Sequence, residues 1–388
     1  MTSLEITSEA FIWTMRVALL FAVVLVIWRW PKAAGPGVLA IVRRLLSLAA
    51  VSLLAVVNIL APVNAEYGWY MTVGDLMPGA GEAPGVSSTG GQSAVAATAA
   101  AMRSAATIEG SRHRPDLALS LTPTNVGGYQ DFTVRGKSSG VTGVITVWFP
   151  PSYTTSAGAG RQYPVIEAFH GIRPAPYAFF SVMDIDQAVT DAVAAKKMRE
   201  AIVVIPHWAP DGQDNECVDA PPGRRGGSKM ETWLAHDVPD WVYSNLRAAP
   251  GRTSWSALGI SAGGWCANMV AALHPSTFAT AISFGGYWRP TFDPSYVPFT
   301  KGSESWQRYD LVSHVQHRAP SIAVWTLCAR ADKLAYPTTQ EVTARARPPM
   351  SVTTTILQEG AHNAEVWVPH VPEALTWLGA NSSGFGPL

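Results

Sequence analysis

Gly259-Ile260-Ser261-Ala262-Gly263 is a G-x-S-x-G pentapeptide set between the apolar run Trp255 to Ile260 and the small-residue run Ala262 to Leu273. The first run reads as a buried strand and the second as a helix. A turn that passes directly from strand to helix strains the backbone and lifts the side chain at its apex into the open. A serine at that apex is placed to act as a nucleophile, and the flanking glycines let strand and helix approach without an intervening Cβ. Alone the string is weak, since this composition supplies it by chance roughly one time in five. Its surroundings decide the reading.

Those surroundings alternate strands with helices. Residues 130–134 and 144–149 alternate in the manner of strands, with the turn-prone stretch 136–143 between them. Apolar runs follow at 165–169, 202–205, 255–260, 281–284, 322–327 and 352–357. Helical patterns fall at 186–197, 231–246, 262–273 and 369–378. This alternation predicts an α/β fold, a mostly parallel sheet covered by helices on both faces. Ligands in such sheets bind at the carboxyl ends of the strands, so polar residues there carry the most weight.

Two such residues complete a triad with Ser261. His362 follows the 352–357 strand in Glu359-Gly360-Ala361-His362-Asn363, and Asp332 follows the 322–327 strand. The chain order serine, aspartate, histidine is the one an α/β-hydrolase requires. His362 is the expected general base and Asp332 the acid that orients it, with Asp310, Glu341 and Glu359 as alternative acids. His170, His207, His236, His274, His314, His317 and His370 lie in positions less suited to a base. Two backbone donors are expected for the oxyanion, the N–H of Ala262 and that of Ile172 in the loop Phe169-His170-Gly171-Ile172-Arg173.

The amino-terminal part has a different character. Residues 11–28 and 45–62 are two apolar runs, each near the length of a membrane span. The connector carries Arg29, Lys32, Arg43 and Arg44, whereas residues 1–10 carry Glu5 and Glu9 and no basic residue. The positive-inside rule then places the connector in the cytoplasm and both ends outside. The alternative is a signal peptide ending near Val63-Asn64-Ala65. Both readings export the remainder. The expected organisation is an all-α transmembrane hairpin over 1–65, a flexible Gly/Ala/Ser-rich linker over 66–114, and an α/β-hydrolase catalytic domain over 115–388.

Bulk composition narrows the partners. Lys and Arg total 28, and Asp and Glu total 28, so no basic excess points to nucleic acid and no acidic tail to a solvating role. The three cysteines, Cys217, Cys266 and Cys328, fit no zinc spacing. No zinc site is expected from them.

Taken together, the chain resembles the esterase family of α/β-hydrolases that includes esterase D-like enzymes, feruloyl esterase domains and the secreted mycolyltransferases of mycobacteria. The matching residues run from about Tyr129 to Leu378. They include Tyr163-Pro164-Val165 leading to His170-Gly171, Glu231-Thr232-Trp233-Leu234 with Asp237-Val238-Pro239, the 259–264 segment, Phe284-Gly285-Gly286-Tyr287 and Gly360-Ala361-His362. The resemblance implies an α/β-hydrolase fold with Ser261, Asp332 and His362 as nucleophile, acid and base. It implies no cofactor. Gly171-Ile172-Arg173 is similar to the mycolyltransferase oxyanion loop, but those enzymes carry an acid where this chain has His170. That departure counts against trehalose recognition, and the membrane segment is also unlike the freely secreted transferases.

Beside that resemblance stand several individual readings. His170, Arg173, Tyr287 and Trp288 are candidate substrate-binding residues, and Trp208 a further pocket wall, set against ordinary core packing for the tryptophans. A Cys217–Cys266 disulfide would pin the 214–219 loop beside the elbow, the alternative being Cys266 as a small buried hydrophobe. Arg224 and Arg225 read as a solvated loop. The expected function is an exported, membrane-anchored serine esterase hydrolysing carboxylic esters through an acyl-enzyme at Ser261, with cell-envelope lipid or glycan as a candidate source of the ester. The alternatives are an acyltransferase to a sugar hydroxyl and a catalytically silent, hydrolase-like binding protein.

Overall fold

The computed structural model describes residues 6, 8–33, 35, 37–67, 86–89, 128–172, 176, 178–209, 214–221, 227–292 and 296–387. Two helices open the chain, Glu9–Arg29 and Val38–Tyr67. Leu20, Phe21, Val24 and Ile27 of the first are all more than half exposed, and it buries no residue. Both helices are long and apolar enough to cross a membrane. Asn58 Nδ2 donates to the Met15 carbonyl at 3.0 Å, a polar clasp between the two.

Nine strands among the described residues form one sheet: β1 Val86–Thr89, β2 Tyr129–Arg135, β3 Thr142–Trp148, β4 Val165–Phe169, β5 Ile202–Pro206, β6 Trp255–Ile260, β7 Thr280–Phe284, β8 Ala323–Ala329 and β9 Ser351–Leu357. Their order is β1-β9-β8-β7-β6-β4-β5-β3-β2. The run from β5 through β4, β6, β7 and β8 to β9 is parallel, while β3 and β1 pair antiparallel at its two sides and β2 pairs antiparallel with β3. Every residue of β4, β5, β6, β7 and β8 is buried. A parallel strand covered on both faces has no solvent side, which is why these segments read as apolar runs rather than alternations.

Successive residues of β4 serve opposite layers. Val165 and Phe169 pack with Trp208, Trp233, Trp265 and the 262–273 helix, whereas Ile166 and Ala168 pack with Ile185, Val189, Leu375 and Leu378. The α/β-hydrolase architecture is therefore present, with helices on both faces.

Three differences from expectation have identifiable reasons. The 231–246 helix is interrupted by a π turn at Trp233–Asp237 before Val238–Asn245. Pro239 has no N–H to give the carbonyl four residues back, so regular pairing breaks there. The helices Glu304–Tyr309, Leu311–His317 and Tyr336–Arg345 are additional. Each is short, and the last has little apolar character to mark it.

The third difference lies in the segment expected to be a linker. Within 66–114, Val86–Thr89 pairs with β9 in register Val86 to Leu357 through Thr89 to Thr354. Edge pairing uses backbone groups and needs no apolar periodicity, so the sequence pattern gives no warning of it. Residues 68–85 and 90–127, including 115–127 of the expected catalytic domain, lie outside the described residues.

Candidate active site

Because β4, β6, β8 and β9 run parallel, the loops that leave their carboxyl ends emerge at one edge of the sheet. Those loops carry His170–Ile172, Ser261, Asp332 and His362.

Ser261 separates β6 from the 262–273 helix with φ 56° and ψ −124°, a left-handed backbone rarely adopted by a residue with a side chain. Its N–H donates to the Phe284 carbonyl at 2.8 Å, tying the apex to β7. The turn is possible because Gly259 and Gly263 meet directly. A Cβ on Gly259 would stand 2.0 Å from the Gly263 oxygen.

His362 Nε2 lies 2.7 Å from Ser261 Oγ, and its Nδ1 lies 2.7 Å from Asp332 Oδ2. Asp332 Oδ2 as acceptor places the imidazole proton on Nδ1, which leaves the Nε2 lone pair facing the serine hydroxyl. Asp332 and His362 are each 1% exposed. The other carboxylate oxygen of Asp332 accepts the Leu334 and Ala335 N–H groups at 3.0 and 2.9 Å, so its rotamer is fixed from both ends. The loop bearing His362 is held by Asn363, whose side chain accepts the Val366 N–H at 3.2 Å.

Trp367 meets the His362 ring edge-to-face at 5.0 Å. Room for both rings comes from Gly285, at φ 60°, where a Cβ would stand 2.7 Å from Trp367 and 3.1 Å from His362 Cε1. Trp367 was not legible as a site residue, since tryptophans are frequent in this chain and no spacing singles it out.

The alternative acids are otherwise engaged. Arg289 binds Asp310 at 3.0 Å and Glu341 at 2.8 Å, and Glu359 is exposed. Among the histidines, His274 pairs with Glu231 and His370 with Glu373.

Gly171 lies against the elbow, where a Cβ on it would stand 3.3 Å from Ser261 Cβ, so the Ile172 loop and the start of the 262–273 helix flank Ser261. His170 is 2% exposed and stacks on Trp208 at 5.3 Å. Burial lowers its pKa to about 4, opposed by its bond to Gly171 and reinforced by His207. Arg173 lies outside the described residues, as do Arg224 and Arg225.

Tyr287 and Trp288 are buried at 2% and 0% exposure rather than forming an open wall. Both follow the 284–286 turn, so the chain enters the interior immediately after passing His362. Tyr287 stacks on Trp265 and donates to Glu216 Oε1 at 2.6 Å. Burial first, then the nearby Asp214 charge, pushes the Glu216 carboxyl well above the usual range.

Next to it, Cys217 and Cys266 are joined by a disulfide. Glu216 and Cys217 are consecutive residues at positive φ, 51° and 54°, held by Trp265 Nε1 on the Glu216 carbonyl and by Asn215 Oδ1 on the Cys217 N–H. Cys328 is a buried free thiol, its pKa pushed up by burial and then by the Asp332 charge. Among the described residues no group of three or more His, Cys, Asp or Glu side chains is placed to hold a metal ion.

The family model described as "Putative esterase" matches residues 141–378, more than half of the chain. An uncharacterised protein of Corynebacterium glutamicum is 23% identical over 250 residues, covering 64% of this chain and 53% of that one. The MPT51/MPB51 antigen of Mycobacterium tuberculosis is 29% identical over 100 residues, 26% of this chain and 32% of the antigen. The chain thus spans about half the length of the first of these relatives and about a third of the second. A ferulic acid esterase structure superposes with TM-score 0.54 at 18% identity, covering 67% of this chain and 98% of that one. An S-formylglutathione hydrolase from Agrobacterium tumefaciens does so with TM-score 0.54 at 17% identity, covering 69% and 100%. At these identities the likeness concerns the fold.

Proposed function

The chain belongs to the Putative esterase family of serine α/β-hydrolases, and from that premise we propose that it cleaves carboxylic esters through an acyl-enzyme at Ser261. The observation that carries this reading is the continuous path Ser261–His362–Asp332, with 2.7 Å at each link. His362 Nε2 takes the hydroxyl proton as Ser261 Oγ bonds to the ester carbonyl carbon. The carbonyl oxygen becomes an oxyanion facing the Ala262 and Ile172 N–H groups. Collapse breaks the ester bond, and the alcohol leaves with the proton from His362. Water, deprotonated by the same histidine, then attacks the acyl-enzyme and releases the acid.

Labelling by a fluorophosphonate tests the assignment. Wild type is expected to label stoichiometrically and to hydrolyse p-nitrophenyl esters, and Ser261→Ala to do neither. Folded wild type without labelling would remove the esterase reading in favour of a silent binding protein.

Acyl transfer to a sugar hydroxyl is the second reading, favoured by the likeness of the Gly171-Ile172-Arg173 loop to that of mycolyltransferases. Diversion of product from free acid to acyl-sugar on adding sugar acceptors distinguishes it from hydrolysis. The acyl source would then be an ester of envelope lipid or glycan.

The two apolar helices support a membrane anchor over 1–65, with the catalytic domain extracytoplasmic. Apolar side chains exposed along both helices would be unfavourable in water and are stabilised by lipid. A phosphatase reporter fused after Ala65 is expected to be active outside the cytoplasm. Activity of a cytoplasm-only reporter at the same point would remove the topology.

A further inference from the structure

His170 has its ring on its own loop. Nδ1 lies 2.8 Å from the carbonyl oxygen of Gly171, the next residue. A carbonyl only accepts, so Nδ1 carries the proton and donates. The ring is buried, and at a pKa of about 4 it is neutral over the ordinary pH range, with its proton committed to this bond. Its other nitrogen, Nε2, is buried and has no hydrogen-bond partner among the described residues.

The Gly171 carbonyl shares a peptide plane with the Ile172 N–H. That bond is trans, since the only cis peptide among the described residues is Pro348–Pro349. In a trans peptide the C=O and N–H point in opposite directions. Fixing the carbonyl on the histidine therefore fixes the Ile172 N–H on the face away from it. Gly171 has no Cβ to bias its backbone, so without this bond the plane is free to flip.

We propose that His170 is a positioning residue that locks the Gly171–Ile172 peptide so that the Ile172 N–H is presented to the oxyanion. The inference rests on the esterase reading of Ser261. His170 touches no reacting atom in this scheme and acts through the peptide.

Its own placement is enforced from behind. Trp208 Nε1 donates to the His170 carbonyl at 2.7 Å while its ring stacks on the imidazole. Asn215 Nδ2 donates to the Trp208 carbonyl at 2.8 Å, and Asn215 sits two residues from the Cys217–Cys266 bridge. A chain of hydrogen bonds thus runs from the disulfide to the oxyanion peptide. This arrangement also gives the buried histidine a purpose that direct substrate contact does not, because the ring is 2% exposed.

The test compares wild type, His170→Ala and His170→Asn in the full-length chain on p-nitrophenyl butyrate, with rates normalised to the fluorophosphonate labelling endpoint. An asparagine amide can donate over a reach similar to Nδ1–H. The alanine variant is expected to lose roughly 10- to 100-fold in kcat, short of or equal to the loss of one oxyanion donor, with KM little changed. His170→Asn is expected to recover most of that loss. A His170→Ala kcat within about threefold of wild type, or equal impairment of both variants, would overturn the proposal while leaving the esterase reading intact. Folded wild type that neither labels nor hydrolyses would overturn both.

Discussion

Gly263 lies so close to β4 that a Cβ on it would stand 1.9 Å from the Phe169 carbonyl oxygen and 2.4 Å from that of His170. Gly263, two residues after Ser261, therefore sets the separation between the elbow helix and the loop that carries Ile172. Gly263→Ala must push these backbones apart, and overpacking of this kind costs roughly 1–3 kcal/mol. Urea denaturation is expected to show that loss, with esterase activity falling further than stability because the loop proposed to carry an oxyanion donor moves. An alanine variant as stable and active as wild type would contradict the close packing.

Asp332 uses both carboxylate oxygens, one on His362 and one on two backbone N–H groups. An asparagine can satisfy only one side, and its amide N–H₂ must face either the His362 Nδ1–H or the Leu334 and Ala335 donors. Asp332→Asn is expected to lower kcat by roughly 10³- to 10⁴-fold, in line with the loss when a triad histidine is forced into the wrong tautomer. Glu341→Gln, on the carboxylate committed to Arg289, is expected to stay within about threefold. Steady-state kinetics on one ester decides both, and the reverse ranking would reassign the acid.

The Cys217–Cys266 bridge closes a loop across 49 residues of separation. Replacing both cysteines by serine is expected to reduce stability by roughly 2–4 kcal/mol, chiefly through the freer unfolded chain. Both sulfurs are buried, so the native protein should resist mild reductant until partly unfolded. Thiol counting in native and denaturing buffer, together with the urea midpoint, checks this. Three titratable thiols in the untreated denatured protein would refute the bridge.

Acid sensitivity should be traceable to Glu231. Burial opposes its ionisation, yet hydrogen bonds from His274, Arg308 and Tyr309 and the Arg308 charge bring its pKa down to about 2. A folded pKa below the free value of 4.5 means that its stabilising contribution is complete above about 4.5 and lost as pH falls toward 2. Glu231→Gln should therefore be less stable than wild type at pH 7, and the gap should narrow through that window. Urea midpoints at pH 7 and pH 2.5 provide the measurement. A gap that widens toward low pH would reverse the sign.

Much of the catalytic half is legible from the chain because parallel strands buried on both faces leave unbroken apolar runs. β4 and β6 match their expected bounds, and the 262–273 helix does too. The order Ser261, Asp332, His362 is legible because each follows such a run. What escapes the sequence depends on contacts that only the folded chain brings together, most of them between residues distant in the chain. Trp367 against His362, Trp208 behind His170 and Glu216 under Tyr287 have no spacing that announces them. Tyr287 and Trp288 look available for a pocket, yet the chain turns inward after Gly286 and buries both rings.

On the proposed membrane anchor, the pairing of Val86–Thr89 with β9 changes how far the sheet can stand from the bilayer. With the hairpin in a bilayer as proposed, the sheet would be tied to the membrane from the end of the second helix at Tyr67. Were β2 at Tyr129 the first point of attachment to the sheet, the covalent chain from Tyr67 could span at most roughly 200 Å. Because the chain is fastened to the sheet edge at Val86, only the stretch between Tyr67 and Val86 remains, at most about 65 Å when fully drawn out. On that proposed anchor Ser261 would sample only a thin shell beside the bilayer, and substrates beyond it would have to come to the enzyme.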